Sequence, residues 1–246
     1  MKKIFKNIVI LFFIYGAGAF FWPLALVFRF VVRKVWILNP EDLPKLEPGM
    51  LVLYNHPDLF ECMYEIFLVP CLLAPQVFLH PLKLAPWFTL DGHNFTDKWY
   101  WAWLRCRAIN ICRGASAIEK RATKAREMLG ILKNLVGLIF HSPEGGRTCT
   151  RKFTVPSKRR GMHIGKLVSS TGWLASKTKA KILLIWLENG PIKMHPGKKL
   201  FSWPNLKGKV IVKFGVVELS EELRAQEPAD ITAFIQEMFL KLADKE

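Results

Sequence analysis

Apolar residues fill most of the first thirty positions and then recur in short blocks separated by polar turns. From Ile8 to Phe28 no side chain is charged, and a straight helix of that length would be about 31 Å long, close to the hydrocarbon thickness of a bilayer. The run predicts a membrane anchor over residues 1–34. Gly16, Gly18 and Pro23 interrupt it, and Lys2, Lys3 and Lys6 before it are matched by Arg29, Arg33 and Lys34 after it, so charge bias sets no orientation. A spanning helix and a kinked or hairpin insertion in one leaflet both fit. Lys2 to Lys6, the stretch Ile8 to Tyr15 and the small-residue site Ala17-Gly18-Ala19 also have the order of a secretory signal. Against that reading, Phe20-Phe21-Trp22 and Leu24 to Phe28 carry the apolar run past the cleavage point.

Beyond the anchor, Asn39-Pro40-Glu41-Asp42, Pro44 and Pro48-Gly49 read as a loop, and Met50 to Tyr54 as a buried strand. Proline suits the first helical position, so a helix is expected from Pro57 through Phe67, with His56 at the strand-to-helix junction. Ser116 and Glu119 form a capping box for a helix to about Asn134, striped by Ile118, Ala122, Ala125, Leu129 and Leu132. Leu135 to Phe140 follows as a strand, His163 to Ser170 as a short helix, and Ile182 to Leu187 and Val210 to Phe214 as two more strands. Ile231, Phe234, Ile235, Met238, Phe239 and Leu242 keep helical spacing behind a cap at Asp230. Strands alternating with helices predict one α/β domain over residues 35–246, a mixed sheet flanked by helices.

Composition narrows the class. In 246 residues, 51% apolar and 13% aromatic side chains against 23% charged ones exclude disorder. The net charge of +16 predicts attraction to polyanions: nucleic acid, an anionic membrane face, acidic proteins or phosphorylated substrates. Interleaved aromatics and bases suit single-stranded nucleic acid, but no RNA-recognition motif or zinc finger is present and an apolar N-terminus does not help such a protein, so no nucleic-acid partner is expected. Five cysteines without a C-x-x-C pair favour a reducing compartment and no metal site.

Candidate chemistry sits in three segments. In Asn55-His56-Pro57-Asp58-Leu59-Phe60-Glu61, a histidine and a carboxylate five positions apart would lie about 140° from each other on one regular helix. If His56 precedes the helix and Glu61 lies in its first turns, the imidazole can fold back over the helix N-terminus, where the carboxylate is electrostatically favoured and can hold one ring nitrogen. The other nitrogen is then free to act as a general base. Asp58 is a rival orienter. The second segment, Ala108-Ile109-Asn110-Ile111-Cys112-Arg113-Gly114, places an arginine just after a short apolar run. The third, Phe140-His141-Ser142-Pro143-Glu144-Gly145-Gly146-Arg147-Thr148, follows a buried strand with a turn whose backbone N–H groups beside a guanidinium make a workable anion cradle.

In this order the three segments resemble the motifs of the glycerolipid (lysophosphatidic acid type) acyltransferases, whose first motif is N-H-x-x-x-x-D and third F-P-E-G-T-R-S. The resemblance runs from about Leu43 to the last helix. Arg107 to Arg113 is similar to the second motif, and Arg159-Arg160-Gly161 to a K-R-G segment after the third. Glu61 stands in place of the usual Asp, as in lipid A late acyltransferases, Gly146 in place of Thr, and Arg107 in place of Gly. The resemblance implies His56 as the base, Glu61 as its orienter, Arg113 and Arg147 on the acceptor phosphate, and Glu144, Gly145 and Gly146 shaping the acceptor site. It also implies an acyl-CoA or acyl carrier protein donor, a lysophospholipid acceptor, no cofactor, and a place on the cytoplasmic face of a membrane, the inner one if the source is bacterial. Another lipid acceptor (a glycolipid, lipid A or an aminolipid) and a basic, membrane-tethered binding protein are the alternatives.

Between Gly145 and Leu187 there is no acid but many bases, among them Arg147, Arg151, Lys152, Lys158 and Lys166. On a membrane-bound enzyme such a run attracts anionic headgroups at about 1 kcal/mol per well-placed residue. Trp99, Trp101, Trp103 and Trp87 suit an interface, an acyl groove or ordinary core equally.

Overall fold

In the computed structural model the described residues are 2–27, 35–56, 61–91, 97, 99, 105–111, 118–144, 154–158, 163–189 and 210–245. The elements in chain order are α1 (Lys2–Val27), β1 (Val35–Ile37), β2 (Leu51–Tyr54), α2 (Glu61–Leu79), β3 (Pro86–Asp91), β4 (Ala108–Ile111), α3 (Ile118–Lys133), β5 (Leu138–His141), β6 (Thr154–Pro156), β7 (His163–Gly165), α4 (Ser170–Ser176), β8 (Ile182–Asn189), β9 (Val210–Val217), α5 (Glu221–Arg224) and α6 (Pro228–Asp244).

Seven strands form one mixed sheet in the order β1-β9-β8-β2-β5-β3-β4, and β6 pairs with β7 as a separate antiparallel hairpin. The run from β8 to β4 is parallel, whereas β9 lies antiparallel to β8 with β1 parallel to it at the edge. Parallel strands covered on both faces must be apolar on both, and every residue of β2 and β5 is buried. Leu51, Leu53, Ile139, Ile182, Leu184 and Trp186 join one core beneath α3, α4 and α6. Val52, Tyr54, Leu138, Phe140, Leu183 and Ile185 join the other, beneath α1 and α2.

Three expectations change. α2 does not end near Phe67 but runs on through Pro70 and Pro75. Val69, Leu73 and Val77 are buried at a four-residue spacing, and that burial offsets a proline penalty of about 3 kcal/mol. The segment His163 to Ser170 is not a helix: β7 pairs with β6, and α4 begins only at Ser170. The last helix begins at Pro228, with Glu227 at the N-cap position making no side-chain bond, and the expected cap Asp230 lies within its first turn.

The N-terminal run forms one continuous helix, not a hairpin, across Lys2–Val27. Ile10 and Ile14 are buried against the α2 side of the core. The Tyr15 hydroxyl donates to the Phe78 carbonyl at 3.1 Å, and the two rings stack at 5.9 Å. Gly18 allows this approach, since a Cβ there would lie 2.7 Å from Phe78 Cζ. No helix among the described residues is long and apolar enough to cross a membrane, so the expected inserted anchor has no spanning helix behind it. The outer side of α1 presents Ile4, Phe5, Ile8 and Phe12, the last 79% exposed.

Candidate active site

All five parallel strands end at the same edge of the sheet, and in open α/β sheets ligands bind outside that carboxyl-terminal edge. The first motif leaves β2 and the third leaves β5, and these strands are direct neighbours with Leu53 opposite His141. Adjacency in the sheet therefore joins segments nearly ninety residues apart.

Asn55 sets the geometry of the first motif. Its side chain is fully buried; Oδ1 accepts from the Leu187 N–H at 2.6 Å and Nδ2 donates to the Leu187 carbonyl at 2.9 Å. The amide thus supplies the next rung of the β2–β8 ladder after Tyr54, and His56 leaves the sheet from a fixed point. The backbone N–H of half-buried His56 donates to Glu144 Oε1 at 2.7 Å, and Glu144 Oε2 accepts from the Gly165 N–H at 2.7 Å. One carboxylate from the third motif thereby ties the residue after β2 to the β6–β7 hairpin. Val168 N–H donates to the Pro143 carbonyl at 2.8 Å and fastens the same turn.

The Glu144 side chain is fully buried with both oxygens on backbone donors, so it ties the His56 backbone to the β6–β7 hairpin. Glu61 is the first residue of α2, with His56 ahead of the helix. The Glu61 side chain, Asp58, Arg113, Gly145, Gly146 and Arg147 lie outside what is described.

Arg107 belongs elsewhere. It is buried at the opposite end of β4, where Nε donates to the Pro86 carbonyl at 2.9 Å and Nη2 to that of Ala85 at 2.6 Å, with the guanidinium 4.0 Å over the Trp87 ring. Burial draws its pKa down to about 10. It anchors the start of β3 and has no part in an anion site at the candidate edge.

His141 is a polar residue of the third motif to which sequence reading assigned no role. It is buried beside Thr89, whose Oγ1 lies 2.9 Å from Nδ1 and 3.2 Å from the Phe140 carbonyl. The hydroxyl has one proton to give; when Phe140 takes it, His141 Nδ1–H must be the donor to Thr89. Burial holds the imidazole pKa down at about 4, so the ring is neutral near pH 7 and unsuited to serve as a charged partner. Among the described residues no cluster of three or more His, Cys, Asp or Glu could hold a metal ion.

With the two motifs on neighbouring strand ends, the architecture can be set beside solved structures. The chain is similar to the crystal structure of the 1-acyl-sn-glycerophosphate (LPA) acyltransferase PlsC from Thermotoga maritima over 100% of this chain and 99% of that one, with a TM-score of 0.50 and 18% sequence identity. At this identity the likeness is one of fold. Comparison of the sequence with protein-family models and with curated proteins gives no match.

Proposed function

We propose that the protein is an O-acyltransferase that moves a fatty acyl group from a thioester to the free hydroxyl of lysophosphatidic acid at a membrane surface. The observation that carries the reading is the Glu144 carboxylate holding the His56 backbone at the carboxyl edge of a sheet with an acyltransferase fold. A positioned imidazole at such an edge is suited to general-base work near neutral pH. His56 takes the acceptor's hydroxyl proton as the oxygen attacks the thioester carbonyl carbon. The C–O bond forms, the tetrahedral oxyanion collapses, the C–S bond breaks, and the thiolate recovers the proton from the imidazolium. Nothing in this sequence needs a cofactor or a covalent enzyme intermediate.

Glu61 orients the imidazole, and Arg113 and Arg147 hold the acceptor phosphate through charge-assisted hydrogen bonds, beside backbone N–H groups of Gly145 and Gly146. The exposed Ile4, Phe5, Ile8 and Phe12 of α1 and the basic stretch after Gly145 support seating on an anionic leaflet, on the side where acyl-CoA or acyl carrier protein is available. The full-length protein in micelles, given labelled acyl-CoA or acyl carrier protein and a panel of lysolipids, tests this. Phosphatidic acid as the main product supports the reading. Preference for a glycolipid or aminolipid keeps the chemistry and replaces the acceptor, whereas no transfer to any lipid leaves a membrane-tethered binding protein.

A further inference from the structure

The amino-terminal ends of the same parallel strands surround a cavity of about 660 Å³, bordered by Met50 before β2, by Lys181 before β8 and by the last turns of α3 and α4. Six residues of extended chain separate Met50 from His56, which places the cavity about 20 Å from the candidate base. Its apolar lining includes Met50, Leu132, Leu135 and Ala180. Lys133, Lys177, Lys179, Lys181 and Arg224 supply the charge.

Part of that charge is already matched. Lys181 pairs with Glu47 at 3.4 Å and Glu218 at 3.3 Å, and these carboxylates hold its pKa above the usual lysine value. Glu221 serves both Lys179 at 3.5 Å and Arg224 Nη1 at 3.2 Å. Lys133 in the last turn of α3 and Lys177 at the C-cap of α4 have no carboxylate within 4.0 Å among the described residues. The carbonyl ends of their helices carry roughly half a negative charge each, which covers about one of the two lysines. A further donor stands open: Arg224 Nε is buried without a hydrogen-bond partner, on a side chain only 15% exposed. Leaving such a donor unmet is costly, and an anionic oxygen is its natural complement.

We propose that this cavity is a second anion site, separate from the transfer site, that takes a phosphate-bearing molecule with its phosphate on Lys133, Lys177 and Arg224 Nε and its less polar part on the apolar floor. The phosphate can belong to a soluble compound or to a lipid headgroup; the recognition chemistry is the same. Pyrophosphate titrated calorimetrically into the full-length protein in neutral micelles is the first probe. Binding should weaken at least tenfold in the double variant Lys133→Ala/Lys177→Ala and in Arg224→Gln, and stay within twofold in Lys241→Ala, an exposed lysine of α6 outside the cavity. Both lysines are exposed, so the double variant should keep the wild-type melting temperature. Pull-down on phosphatidylglycerol vesicles distinguishes the sources: weaker vesicle binding by the double variant than by the wild type assigns a headgroup, and unchanged vesicle binding assigns a soluble ligand. Pyrophosphate binding that is absent in the wild type, unchanged in both cavity variants, or weakened as much in Lys241→Ala overturns the proposal.

Discussion

Replacing Glu144 by Gln keeps the shape of the side chain and removes its charge, so it isolates what the carboxylate does. Two backbone donors, on His56 and Gly165, each approach it at 2.7 Å. The Gln carbonyl can accept one of them, exchanging a charge-assisted bond for a neutral one at a loss of about 1 kcal/mol. The Gln amide turns its own N–H toward the other donor, which leaves that buried N–H unmet at about 1–3 kcal/mol. Burying an amide is easier than burying a carboxylate, which offsets part of the loss, and a net destabilisation of about 2 kcal/mol remains. For a chain of this length that lowers Tm by about 4–8 °C, read by scanning calorimetry. Because the bond goes to the His56 backbone, kcat should fall at least tenfold while the acceptor KM stays within about twofold. An unchanged Tm with a raised acceptor KM would refute the reasoning, since that pattern belongs to a side chain that binds substrate.

Three further outcomes follow from the same site. Arg147→Lys keeps the charge but not the planar fork, and losing a charge-assisted hydrogen bond of about 1.5–3 kcal/mol should lower acceptor kcat/KM about ten- to a hundredfold with donor KM unchanged; a donor-side defect would turn the site around. Glu61→Gln should cost less activity than removal of His56, and Glu61→Asp less still, in steady-state assays; a larger loss for Glu61→Gln than for His56→Ala would remove it as an orienter. His141, held near a pKa of about 4 against about 6.5 when unfolded, binds its proton first in the unfolded chain. Stability therefore rises with pH between those values, and acidification from pH 7 to 4 should cost about 3 kcal/mol, a slope that His141→Asn should flatten in Tm measured against pH.

The sequence made the buried strands legible where both faces are covered. Ile182 to Leu187 reads as an unbroken apolar run because Leu183 and Ile185 meet one core while Leu184 and Trp186 meet the other. Local pattern misled where distant contacts decide. Ile164 and Leu167 have helical spacing, yet the Gly165 N–H is claimed by Glu144 and the segment pairs as β7. The helix expected to run through Phe67 continues past Pro70 and Pro75, where the packing of Val69, Leu73 and Val77 carries α2 on. In the candidate site, motif order grouped His56 with the Glu144 turn, and a hydrogen bond joins the two. That order could not show that the carboxylate reaches across 88 positions to a backbone N–H, because no residue type marks a main-chain donor. Nor could it show that Arg107, which stands in place of the second motif's Gly, is buried on the carbonyls of the β3 start.

The most direct test of His56 as the transfer base is turnover of labelled acyl thioester with lysophosphatidic acid by the full-length protein and by His56→Ala, compared at matched concentration and confirmed Tm. The account predicts phosphatidic acid from the wild type and a loss of at least a thousandfold in kcat for the variant, with both proteins folded. Retention of most of the turnover by folded His56→Ala would contradict it.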